Sequence, residues 1–216
     1  MTIVVKDRHR LGSISERFES GGRGPGTVSG GQGDPGGVSY GTYQLASRTG
    51  TVAAFLRGDG AGWAGELCHA PGSAEFSAAW RDIAARDGEA FAAAQHAFIE
   101  RTHYLPVVKA VLASLRYDLD QRHPAVRDAV WSAAVQHGGA AGLAKTAVTD
   151  ADGEAGRGTS AHDRAFIKAI YQRRADYVRA LAARSAPAVR RTLTTVADRR
   201  YPQELAAALA LFESGD

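Results

Sequence analysis

Residues 18–44 read FESGGRGPGTVSGGQGDPGGVSYGTYQ, and the rest of the chain is divided by how this stretch is taken. It holds ten of the 25 glycines and two prolines. Glycine loses too much backbone entropy in a helix and proline lacks the N–H, so no helix is credible between 22 and 41. Just before it, Gly12 to Glu19 reads as a short helix, with Ser13 as N-cap, Glu16 completing a capping box and Ser20-Gly21-Gly22 as the stop. Just after it, Val38 to Leu45 has the β-branched and aromatic content of a short strand or hairpin arm.

Outward from there the chain turns helical. It has 216 residues, 42 of them alanine, the best helix former. Spacing and stop signals predict helices over Thr51–Leu56, Ser77–Arg86, Gly88–Tyr104 (broken by Pro106), Pro106–Tyr117 and Ala125–His137. Three more are expected over Asp163–Arg184, Pro187–Asp198 and Pro202–Phe212, with Asp150 to Ser160 as a polar loop. The expected fold class is mainly α with a small glycine-rich β element. The expected organisation is one domain over 1–216, with a glycine-rich lobe at about 12–65 and a helical lobe over 66–216.

Composition excludes several classes. No stretch approaches the roughly 18 apolar residues of a membrane span. The opening MTIVVKDRHR is too charged for a secretory signal, and a single cysteine, Cys68, allows no internal disulfide, which fits synthesis in a reducing cytosol. There is no H-E-x-x-H or C-x-x-C; Asp150, Asp152 and Glu154 begin like a calcium loop, but Ala155 and Ala161 occupy its glycine and glutamate positions. No metal or cofactor is expected. Gly37-Val38-Ser39-Tyr40-Gly41 matches a nucleophile-elbow pattern but lacks the buried strand that must precede it. The net charge is only +3, yet Arg164 to Arg200 carries ten Lys/Arg and two Asp. That run is either the solvated faces of helices or a contact for an anionic envelope. Its aromatics do not interleave as nucleic-acid binding requires.

Two carboxylates stand in opposed settings. Glu19 ends a helix behind Phe18, where unpaired carbonyls and burial favour the protonated acid that a general acid needs. Asp34 lies 15 residues on, in the turn sequence Gly33-Asp34-Pro35-Gly36-Gly37, where water keeps a carboxylate charged. Such a pair is the working equipment of glycoside hydrolysis. Taken singly, each is also what a helix end or a tight turn ordinarily carries.

Phe18-Glu19-Ser20-Gly21-Gly22, Gly24 to Ser29 and Gly33 to Gln44 together resemble the peptidoglycan-cleaving C-terminal domain of specialised type VI secretion spike proteins and related phage endolysins, in the superfamily that includes lysozymes and chitosanases. Val130 to Gly139 and Phe166 to Tyr171 are also similar to that group, so the resemblance spans about 14–177. It implies a lysozyme-like fold, with a helical body, a small β lobe and a glycan cleft between them. It places Glu19 as general acid and Asp34 as second carboxylate, with Ser39 helping to position water and Asp59 as a supporting acid. Tyr40, Tyr43, Gln44, Gln136 and His137 would contact substrate, and Trp131 reads as core.

The expected activity is therefore that of a muramidase, cutting the β-1,4 bond between N-acetylmuramic acid and N-acetylglucosamine. Relatedness to chitosanases favours inversion, for which the carboxyls stand about 6.5–9.5 Å apart. A chitosanase-like or chitinase-like glycosidase, or a non-catalytic wall-binding module, is the alternative. The sequence shows no spike module, so delivery as a holin-released endolysin or as a cargo effector is expected, with action on the cell wall in the periplasm or after release. The expected partners are peptidoglycan strands, an immunity protein if the chain is a secreted effector, and no nucleic acid; a monomer is expected.

Overall fold

The structure is a computed structural model that describes residues 9–19, 24–32 and 34–214, with the side chains of Arg17 and Glu19 outside what it describes. The fold is mainly helical with one two-stranded sheet among the described residues, in agreement with a mainly-α lysozyme-like fold. In chain order the elements are α1 (Ser13–Glu19), β1 (Ser39–Tyr40), β2 (Leu45–Ala46), α2 (Thr51–Leu56), α3 (Ala74–Arg86), α4 (Gly88–Ile99), α5 (Leu105–Leu115), α6 (Pro124–Gln136), α7 (Ala140–Asp152), α8 (Ser160–Ala183), α9 (Pro187–Thr195) and α10 (Tyr201–Glu213). They gather into two compact units, Glu19–Thr102 and the remainder, Met1–Phe18 with His103–Asp216.

The Glu19–Thr102 unit is built on aromatic packing. Phe55 of α2 meets Trp80 of α3 and Phe91 and Phe98 of α4, with ring centroids 5.7–5.9 Å apart. Tyr40 of β1 closes the cluster against Phe76 and Trp80 at 5.0 and 5.1 Å. Such rings supply much apolar burial per residue, which suits a unit whose first part is nearly all loop. Helix α3 starts three residues before its expected onset because Ser73 caps it, its Oγ accepting from Phe76 N at 3.1 Å.

The other unit is a helix assembly in which nine of the thirteen residues of α6 are buried. Its longest member, α8, is capped by Thr159, whose Oγ1 accepts from His162 N. Phe166, Ile170, Arg174, Val178 and Ala182 recur every fourth position on α8 and are all buried, so an arginine occupies the middle of an apolar stripe. Helix α7 is absent from the sequence expectations; its alanines 140, 144, 147 and 151 form the buried face, and small side chains give a weak periodic signal. Asp150 and Asp152 therefore end a helix instead of opening a loop. They pair with Arg173, and with Arg157 and His162.

Two boundaries differ in an instructive way. The expected break at Pro106 is a π-helical turn, Glu100–Tyr104, leading straight into α5, where Pro106 sits in the first turn and needs no N–H. Similarly, α9 ends at Thr195 and a second π turn, Val196–Arg200, carries the chain into α10.

Candidate active site

The loop that bears Asp34 is held from both sides. Its first limb pairs with the hairpin: Ser29 N donates to Ser39 O at 2.9 Å, Ser39 N to Ser29 Oγ at 2.8 Å, and Gly41 N to Thr27 O at 2.8 Å. The same limb is fixed to the helices through Pro25 O, which accepts from Trp80 Nε1 at 2.8 Å and Gln95 Nε2 at 3.1 Å. Gln95 is fully buried and turns its Oε1 to Thr42 N at 3.1 Å, so one amide ties both limbs of the loop to α4. Gly41, at φ +75, is required here because a Cβ would overlap the Gln95 amide.

At the apex Asp34 forms an Asx turn. Its Oδ1 accepts from Gly36 N at 2.8 Å and its carbonyl from Gly37 N at 2.9 Å. The residue is exposed, and no Lys, Arg or His pairs with it among the described residues. Oδ2 makes no hydrogen bond among the described residues. Ser39, five residues on, is buried in β1; its Oγ makes no hydrogen bond among the described residues.

Several expected site residues take other duties. Tyr40 is fully buried, its hydroxyl accepting from Gly72 N at 3.0 Å and lying 2.8 Å from Ser77 Oγ, so it is a core residue and not a glycan contact. Asp59 is not a free acid: Arg101 clamps its Oδ2 from Nε and Nη2 at 3.2 and 2.6 Å. Tyr43 is half-buried with its ring 6.3 Å from that of His96, and Gln44 is exposed at φ 54, where the hairpin turns.

Gln136 and His137 are also engaged inside the helical unit. Gln136 Oε1 accepts from Arg174 Nη2 at 2.7 Å and from the Tyr201 hydroxyl at 3.0 Å. His137 Nε2 lies 2.9 Å from the same hydroxyl. Burial, reinforced by the Arg174 and Arg200 guanidiniums, pushes the His137 imidazole down to about 4. Arg174 is fully buried against Glu204 and Ser132, with Arg200 reaching Glu204 from the other side. This network explains the arginine in the α8 stripe. Both residues, expected from the sequence as substrate contacts, make these bonds inside the helical unit, His137 buried and Gln136 half-buried.

Glu19 is the last residue of α1, as expected; its side chain and Ser20-Gly21-Gly22 lie outside the described residues. What holds α1 is not the expected capping box. Ser13 is inside the helix, and Glu16 pairs with Arg10. The first-turn donors go instead to Asp128 of α6, whose Oδ1 accepts from Gly12 N at 2.7 Å and whose Oδ2 accepts from Ile14 N at 3.1 Å. His9 Nε2 approaches the same carboxylate at 3.0 Å. A carboxylate at a helix N-terminus satisfies orphan N–H groups and matches the helix dipole. Gly12, at φ +84, lets the chain pass over the Trp131 indole, which a Cβ would strike. Trp131 is buried, as expected. Neither Asp128 nor Gln95 figures among the sequence candidates. The available signal was a lone polar residue on an otherwise apolar helix face, which is weak by itself.

A family model described as type VI secretion system spike protein VgrG3-like, C-terminal, matches residues 11–201. The type VI secretion system spike protein VgrG3 of Vibrio cholerae serotype O1 is 40% identical over 133 residues. That match covers 62% of this chain but only 13% of the relative, so the chain spans a small part of that protein's length.

Proposed function

The chain belongs to the VgrG3-like C-terminal family of type VI secretion spike proteins, and from that premise we propose that it is a peptidoglycan glycosidase of the muramidase type. Asp34 carries the proposal: an exposed carboxylate, fixed by its own turn, with no cation paired to it among the described residues, 15 residues after an acid that ends a short helix. In this reading Glu19 protonates the glycosidic oxygen as the bond breaks. Asp34 directs a water molecule to the anomeric carbon from the opposite face and stabilises the oxocarbenium character that develops there. Ser39, next to the same loop, is the hydroxyl available to orient that water. Asp59, already neutralised by Arg101, has no part in the step. The wall of a bacterial cell, reached in a secretion context, is the proposed site of action.

Turbidity clearing of purified peptidoglycan by the wild type, Glu19→Gln and Asp34→Asn tests this. Loss of general acid or base assistance lowers turnover by about 10²–10⁴. The expected result is clearing by the wild type, with each variant reduced by at least two orders of magnitude and still melting normally. Mass spectrometry of the soluble fragments should find reducing ends on muramic acid. Anhydro ends, free stem peptides, or full activity in both variants would each sink the assignment.

A further inference from the structure

Among the described residues, four large apolar side chains are markedly exposed, and three of them fall within one short run: Tyr177 at 49%, Leu181 at 44% and Val189 at 51%. From Tyr177 to Ala197 there is no acidic residue but four arginines, 179, 184, 190 and 191. Tyr177 and Leu181, at i and i+4, share one face of the last turns of α8, and Arg184, at i+7, is the residue that caps its C-terminus. Arg190 then clips α9 to the end of α8, its Nε and Nη2 donating to Ala182 O and Ser185 O at 3.2 Å. Helix α9 buries none of its nine residues. Internal packing covers these apolar side chains only in part: the Tyr177 ring meets that of His137 edge-on at 5.5 Å and is still half exposed.

The charges sort in the same way. Of the ten cations between 164 and 200, Arg164, Arg173, Arg174, Arg179 and Arg200 are already paired with carboxylates. Arg184 and Arg191 are exposed and have no carboxylate partner among the described residues. Lys168, Arg190 and Arg199 likewise lack a carboxylate partner among the described residues, so three of the five uncompensated cations, Arg184, Arg190 and Arg191, fall in the segment that exposes apolar side chains. Basic and apolar groups presented together on a helical surface suit the headgroup boundary of an anionic bilayer, where tyrosine is also favoured.

We propose that the C-terminal turns of α8 and helix α9 form a docking surface for an anionic lipid bilayer, with Tyr177, Leu181 and Val189 entering the headgroup layer and Arg184 and Arg191 meeting lipid phosphates. Docking of this kind would hold the protein beside the membrane that underlies a cell wall. It does not depend on the hydrolase assignment.

The test is co-sedimentation of the full chain with vesicles of phosphatidylcholine alone and of phosphatidylcholine with 30% phosphatidylglycerol, at low and at about 0.15 M salt. Each arginine near an anionic surface contributes about fivefold in partitioning. Arg184→Gln/Arg191→Gln should therefore weaken binding to the anionic vesicles by about 25-fold, and Leu181→Ser should weaken it independently of salt. Thermal melting verifies that the variants fold, and clearing of purified peptidoglycan by them should be unchanged. Equal binding to both vesicle types, or binding unaffected by either variant, overturns the proposal. So does a duplex oligonucleotide that displaces the vesicles through the same arginines, which would assign the surface to nucleic acid. A Glu19→Gln protein that no longer clears peptidoglycan should still bind vesicles, so the two assignments fail separately.

Discussion

Asp128 offers the most demanding check on how the candidate acid is held. Its carboxylate is 1% exposed and satisfies two backbone donors, Gly12 N and Ile14 N, that begin α1 more than a hundred residues away in sequence. Asp128→Ala removes both acceptors in a place that water does not reach. Each orphaned buried donor costs about 1–3 kcal/mol, so the loss for the two should be about 2–6 kcal/mol. For a chain of this size that corresponds to a fall in Tm of about 5–20 °C. Asp128→Asn keeps one acceptor and should cost about 1–3 kcal/mol. The larger consequence concerns Glu19, which ends the helix that Asp128 starts; misplacement of a reacting group by about 1 Å can lower turnover about 100-fold. Urea unfolding gives the stability, and peptidoglycan clearing measured well below each variant's Tm gives kcat and KM. The expected pattern for Asp128→Asn is a kcat reduced at least tenfold with KM little changed. If Asp128→Ala melts and hydrolyses like the wild type, the anchoring role is refuted.

Asp59→Asn should leave clearing within about threefold of wild type, since Arg101 already occupies that carboxylate; a hundredfold loss would restore it to the mechanism. His137 is depressed to about 4 by burial, so the unfolded chain takes up its proton first as pH falls from 6.5, and stability should decline by up to about 3 kcal/mol between pH 6.5 and 4. That decline should flatten in His137→Gln, as read by urea midpoints across the range. Glu204→Ala strands the buried Arg174 charge and should destabilise by about 3–5 kcal/mol, whereas Glu204→Ala combined with Arg174→Met should recover part of the loss. Gly41→Ala forces a side chain onto the Gln95 amide and an unfavourable positive φ; a lowered Tm together with impaired clearing is expected, and neither changing would contradict the loop's dependence on Gln95.

Much of the fold was legible in one dimension because its signals are local. Glycine density ruled out a helix ahead of the hairpin, Thr51–Leu56 and the start of α6 carried their own boundary residues, and aromatic spacing exposed the buried face of α3. Periodicity failed on α7, where alanine packs closely without a strong contrast between faces. Proline misled at 106, because a π turn can deliver the chain to a new first turn without a break.

The candidate acids were legible for the same reason: a helix end and a Gly-Asp-Pro-Gly-Gly turn are written in adjacent residues. What surrounds them was not. Whether Tyr40, Asp59, Gln136 and His137 met substrate or structure depended on Ser77, Arg101, Arg174 and Tyr201, each brought near only by folding. A charge run in sequence likewise says nothing about which cations are already paired. Side-chain type and backbone preference are properties of single residues and their neighbours, so the sequence by itself determined most of the elements and named the two candidate carboxylates. Burial, pairing and hydrogen-bond satisfaction belong to groups distant along the chain, and only the tertiary structure decided them.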